Sequence, residues 1–152
     1  MLKTLLLLSS ILFATTAHAT SAKDACNELK KPLAELQSQL PMDVDYMTKL
    51  TGTQVIYANS QCLLNYTYVV SAQHFLKEMA DSNQGSDEEN LAHLASAEGI
   101  QAVQSVFGNL AEKAASAHFA TFAKISGMKI TYTHTFDHPQ IKSVVSVVMD
   151  NQ

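Results

Sequence analysis

Two histidines and an aspartate near the C-terminus, His134, Asp137 and His138, are the first candidates for chemistry in this chain. Imidazole nitrogens and carboxylate oxygens are common ligands of Zn²⁺ and other transition metals, so the three residues form a candidate metal site. Their spacing matches none of the established metal-binding motifs. His134 falls on the apolar side of an alternating segment, and Asp137 and His138 precede a proline, as turn residues often do. We therefore predict no metal and no cofactor, with these residues as weak candidates.

Asp43 and Asp45 are a second candidate pair. On an extended segment, side chains at i and i+2 share a face, and paired carboxylates serve Ca²⁺ binding or acid–base catalysis. Ca²⁺ takes more oxygen ligands than this segment offers, so we expect a solvated connection.

Nucleophilic catalysis also lacks a sequence signature, because the chain has neither a Gly-x-Ser-x-Gly elbow nor a Gly-rich phosphate loop. We predict that the protein is not an enzyme. A small metal-dependent hydrolase that uses His134, Asp137 and His138 is the lowest-ranked alternative.

Residues 1–19 have the three parts of a cleavable secretory signal peptide: a short positive region with Lys3, an apolar stretch, and a small-x-small site that ends at Ala19. The apolar stretch is shorter than the ~20 residues that span a bilayer. Thr20, and not a cysteine, stands directly after the cleavage site, so no lipid anchor and no integral membrane segment are expected after cleavage. We predict export to the periplasm or the medium, and one globular domain over residues 20–152.

Cys26 and Cys62 are the two cysteines of the chain. No histidine lies near either of them in sequence, which disfavours a reactive thiol that needs a neighbouring base. In the oxidising compartment that export implies, the two are predicted to form a disulfide that closes a loop of about 36 residues.

The charge of the chain excludes one class of partner. The net charge is −4, and every basic residue is lysine. Nucleic-acid binding needs a basic surface to neutralise phosphates, usually with arginine, so we predict no nucleic-acid partner.

The elements that would position these residues follow the order helix, hairpin, helices, hairpin. Apolar residues at steps of three and four predict a first helix with Cys26 on its buried side. Helical spacing returns at residues 71–80 and 86–125, with a break that we place at Gly108 in preference to Gly99. Alternation predicts four strands, at residues 53–58, 62–70, 128–136 and 141–149. The predicted fold is α+β, with a four-stranded antiparallel sheet from two hairpins packed against the N-terminal helix and a central helical pair.

Two histidines on apolar faces also raise a hypothesis about pH. His134 lies on the apolar face of its strand, and His118 lies at the edge of a helical apolar stripe. Protonation of either ring near pH 5–6 would place a charge among apolar side chains and weaken their packing.

Two segments carry a resemblance to known proteins. Residues 40–50, LPMDVDYMTKL, fit the pattern LPxxVDxxTxL, and residues 127–134, GMKITYTH, resemble a GVxxxYxY strand. In these segments the chain resembles small exported proteins of gammaproteobacteria that are similar to type II secretion substrates of unknown function. It is also similar in architecture to type II secretion pilotins, but it lacks their lipidation cysteine. The resemblance identifies no catalytic residue.

Together these features predict an exported, non-enzymatic binding or interaction protein, in the most specific form a type II-secreted, virulence-associated factor that acts on host material. The alternative is a periplasmic accessory protein, either pilotin-like or associated with the envelope. A helix-covered sheet offers an edge strand and a groove, both suited to a protein or host-surface partner. The sequence leaves the partner and the oligomeric state open.

Overall fold

The structure is a computed structural model and describes residues 20–83 and 85–151. The predicted signal peptide, residues 1–19, lies outside them. The helices are α1 (Ala22–Gln37), α2 (Ala72–Asn83), α3 (Asp87–Ala95) and α4 (Ala97–His118), with a 3-10 turn at Phe122–Lys124. The strands are β1 (Met42–Asp43), β2 (Thr48–Ala58), β3 (Gln61–Val70), β4 (Met128–Phe136) and β5 (Val144–Asn151). None of these helices is both long and apolar enough to cross a bilayer.

The predicted α+β class is confirmed, but the predicted sheet is wrong in two respects. The sheet has five strands in the order β1-β2-β3-β4-β5, and β3 and β4 run parallel. With only two residues, β1 is too short to show alternation in the sequence. The parallel pair follows from the path of the helices between β3 and β4. The 22 residues of α4 rise about 33 Å and return the chain to the end of the sheet where β3 begins.

Strand β4 shows how the sheet divides into two faces. Every second side chain of β4 points towards the helices and is buried, while those between them are partly exposed. The buried set is Met128, Ile130, Tyr132, His134 and Phe136. One apolar cluster joins this face to α1 and the last turns of α4, and a second joins it to α2, α3 and the first half of α4.

The long helical region breaks at Ser96, and the predicted break at Gly108 is wrong. The Ser96 hydroxyl accepts a hydrogen bond from the Gly99 N–H at 3.0 Å and donates one to the His93 carbonyl at 2.6 Å. Ser96 therefore caps the end of α3 and the start of α4 together. A Cβ atom at Gly99 would lie 2.0 Å from the His93 carbonyl oxygen, so only glycine lets the two helices meet this closely.

We expect Gly99→Ala to lower the free energy of unfolding by about 2 kcal/mol, because the added methyl group forces the junction of α3 and α4 apart. The matched control is Gly108→Ala, whose added Cβ meets only the Ser146 hydroxyl at 3.8 Å. That substitution lies inside α4 and is expected to raise the free energy of unfolding by roughly 0.5–1 kcal/mol. Urea denaturation of both variants measures the difference, and equal midpoints would contradict a break at Ser96.

Candidate functional site

A cavity of about 250 Å³ opens between α4 and the helix-covered face of the sheet. Its floor comes from β3 and β4, its wall from α4, and its rim from α1, β1, β2 and the turn of residues 44–47. The floor consists of Tyr66, Tyr68, Tyr132 and His134. The wall consists of residues of α4 and of Phe119, which follows its last residue: Phe107, Leu110, Ala111, Ala114, His118 and Phe119. The rim consists of Leu36, Met42, Asp43, Val44, Asp45, Thr48 and Leu50.

The parallel pairing of β3 and β4 assembles the floor. Its register places Tyr66 opposite Tyr132 and Tyr68 opposite His134. Because side chains alternate along a strand, all four point to the same side of the sheet. The rings of Tyr66 and Tyr132 meet edge to face with centroids 5.5 Å apart. Four ring side chains therefore form one continuous aromatic surface beneath α4.

His134 lies between two rings at the inner end of this surface. Its ring stacks on Tyr68 at 5.0 Å and on Phe107 at 4.3 Å, with interplanar angles of 13° and 14°. The residue is only 7% exposed, and its buried Nδ1 has no hydrogen-bond partner among the described residues. Burial lowers the pKa of His134 from 6.5 to about 4. At neutral pH the ring is therefore uncharged and packs as an aromatic side chain.

The three tyrosines supply the other polar atoms of the floor. Burial raises the pKa of Tyr68 to about 12 and also raises the pKa values of Tyr66 and Tyr132. Each hydroxyl keeps its proton, and none makes a hydrogen bond to the described part of the chain. A tyrosine hydroxyl can donate one hydrogen bond, so the cavity offers several unused donors.

The charged groups of the cavity lie at its rim. Asp43 pairs with Lys49 at 3.4 Å, and both side chains are largely exposed. Asp45 accepts a hydrogen bond from the Met47 N–H at 2.8 Å, which fixes the turn of residues 44–47. The described lining residues include no lysine, and the chain has no arginine. The mouth is therefore acidic and the floor uncharged.

The side chains of the three metal candidates do not converge on one point, and each has a separate structural role. Asp137 accepts a hydrogen bond from the Ala72 N–H at 2.6 Å and so caps the start of α2. His138 lies in the following turn, where its Nδ1 accepts from the Gln140 N–H at 3.4 Å. His134 belongs to the cavity floor. In residues 20–83 and 85–151, no three His, Cys, Asp or Glu side chains lie close enough together to hold a metal ion.

The predicted disulfide between Cys26 and Cys62 is present and joins α1 to β3, with Cα atoms 5.4 Å apart. Both cysteines are fully buried. The bond holds α1 against the sheet, and the C-terminal turn of α1 contributes Leu36 to the rim of the cavity.

Sequence reasoning identified His134 but missed the tyrosines that surround it. The available signal was the spacing of two residues within each strand, between Tyr66 and Tyr68 in one and between Tyr132 and His134 in the other. The spacing predicts a shared aromatic surface only if β3 and β4 are neighbours, and the predicted hairpins did not specify this pairing.

Comparisons with known proteins identify no family for this chain. No protein-family model matches the chain, and no curated protein matches it. One solved structure, a Pseudomonas aeruginosa protein titled a "putative secreted protein", aligns over 87% of this chain and 94% of its own, with 15% identity and a TM-score of 0.46. We transfer no role from it, and the resemblance of the two sequence segments stays a prediction.

Proposed function

We propose that this chain is an exported, non-enzymatic protein that binds a small, largely apolar molecule in the cavity between α4 and the sheet. The compartment we propose is the periplasm or the medium. Two features support export: the signal-like segment at residues 1–19 and the buried disulfide, a bond typical of oxidising compartments.

The tyrosine-lined cavity is the observation that carries the binding proposal: Tyr66, Tyr68 and Tyr132 line it, and their hydroxyls make no hydrogen bond to the described part of the chain. The Nδ1 of His134 also has no partner among the described residues, but it is closed to solvent beneath Tyr68 and Phe107 and contributes to the packing of the floor. A mainly apolar cavity with a few convergent polar groups is the usual form of a small-molecule site. A ligand that reaches the floor would meet both the aromatic surface and its unused polar groups.

The same residues favour binding over catalysis. A nucleophile needs a base within hydrogen-bond reach and a third group that orients the base. His134 has Tyr68 and Phe107 against its two faces, and no carboxylate in the described part of the chain bonds to it. Asp43 and Asp45 lie at the rim with partners of their own. We therefore propose that the cavity holds its ligand without transforming it.

The uncharged fluorophore N-phenyl-1-naphthylamine tests the proposal. We expect it to bind the purified protein with saturable one-to-one stoichiometry and an increase in emission. Ala114 is half-buried on the cavity wall, so Ala114→Trp places an indole in the cavity and should weaken binding at least about tenfold. Ala102 is exposed on the same helix outside the cavity, and Ala102→Trp is the matched control that should bind normally.

Absence of saturable binding to the unsubstituted protein would overturn the proposed function. Equal binding by the Ala114→Trp and Ala102→Trp proteins would place the fluorophore elsewhere and would also overturn it. Circular dichroism of both variants checks that each remains folded.

A further inference from the structure

We infer that the ligand is an uncharged molecule, mostly apolar, with an oxygen atom that accepts hydrogen bonds from the tyrosines of the cavity floor. A fatty alcohol, ketone or ester belongs to this class. The inference rests on the proposed function and specifies which chemistry the cavity selects.

The charge of the cavity selects against anions. A carboxylate or phosphate that leaves water needs a cation or several donors around it. The chain has no arginine, and lysine is missing from the described lining residues. At the mouth, an entering anion would meet the Asp45 carboxylate, which has the same sign, while the charges of Asp43 and Lys49 offset each other. Water outside the cavity therefore solvates an anionic head group better than the cavity does.

Cations gain little from the same two carboxylates. Asp43 already pairs with Lys49, and its side chain is 75% exposed, so water screens its field. The Asp45 carboxylate accepts from the Met47 N–H. The floor offers no open box of aromatic faces, because Tyr68 and Phe107 cover His134 and the rings of Tyr66 and Tyr132 meet each other.

The tyrosine hydroxyls of the cavity floor have no acceptor among the described residues. The hydroxyls of Tyr66, Tyr68 and Tyr132 keep their protons, and no described residue accepts a hydrogen bond from them. The neutral ring of His134 adds one N–H donor and one acceptor nitrogen. A carbonyl, ether or hydroxyl oxygen on a ligand has two lone pairs and would accept from one or two of the tyrosine hydroxyls, whereas a pure hydrocarbon would leave all three unpaired.

Competition against N-phenyl-1-naphthylamine tests this inference with three compounds of equal chain length: decanol, decanoate and decylammonium. We expect decanol to displace the fluorophore at concentrations at least about tenfold below those of either charged compound. Tyr66→Phe and Tyr132→Phe each remove one hydroxyl with almost no change of shape. The double variant should bind decanol roughly fivefold more weakly and retain the fluorophore, since it loses only hydrogen bonds.

Equal displacement by decanoate or decylammonium would overturn the inference, as would unchanged decanol binding in the double tyrosine variant. Either result leaves the cavity as a binding site, because the fluorophore still reports it. If the fluorophore itself does not bind, the proposed function fails first.

Discussion

Replacing Cys26 and Cys62 together by alanine is expected to lower the free energy of unfolding by about 4 kcal/mol. The bond joins residues 36 positions apart, so its loss releases a long loop in the unfolded chain. Both cysteines are fully buried, and the smaller alanine side chain fits their place, but α1 is then attached to the sheet only by packing and by the hydrogen bonds that Gln37 accepts from Thr53. The residues that remain to hold it are Ala22, Ala25, Leu29, Leu33 and Leu36.

Urea denaturation with and without dithiothreitol measures this effect. The unsubstituted protein should lose stability when reduced, whereas the double alanine variant should give the same midpoint in both conditions. A midpoint of the unsubstituted protein that does not respond to complete reduction would contradict the prediction. Because Leu36 of α1 lies at the cavity rim, we also expect the reduced protein to bind the fluorophore more weakly.

The sequence predicted helices, strands and caps well where the residues that determine them lie close together in the chain. The alternation from Met128 to Phe136 matches β4 residue for residue. The Ser86-x-x-Glu89 sequence is typical of a capping box, and the structure has one, with the Ser86 hydroxyl accepting from the Glu89 N–H and the Glu89 carboxylate accepting from the Ser86 N–H. Both features depend on residues within a few positions of each other, so the sequence pattern contains the whole cause.

Features that join distant segments were not predictable in this way. The cap of α2 comes from Asp137, which is 65 positions away from Ala72 in the chain. The parallel pairing of β3 and β4 depends on the path of three helices between them. The cavity depends on two long-range contacts, because its floor needs the pairing of β3 with β4 and its wall needs Phe107 of α4 to contact His134. Each residue was visible in the sequence, but their proximity was not.

Lowering the pH from about 7 to 4.5 is expected to destabilise the protein through His134. Its pKa is about 4 in the folded chain, below the ordinary value of 6.5, because burial disfavours the charged ring. Below pH 6.5 the unfolded chain therefore binds a proton that the folded chain does not bind. The free energy of unfolding should fall by about 2.5 kcal/mol by pH 4.5.

His134→Phe isolates this contribution, because a phenyl ring keeps the stack between Tyr68 and Phe107 but cannot titrate. Thermal or urea unfolding across this pH range should give a shallower pH dependence for this variant than for the unsubstituted protein. His138→Phe is the matched control, since His138 lies in a turn outside the core, and it should keep the full dependence. Parallel curves for the unsubstituted protein and the His134→Phe variant would contradict a histidine that is neutral in the folded state. A neutral His134 is also what the proposed ligand requires, because a charged ring at the floor would favour an anion.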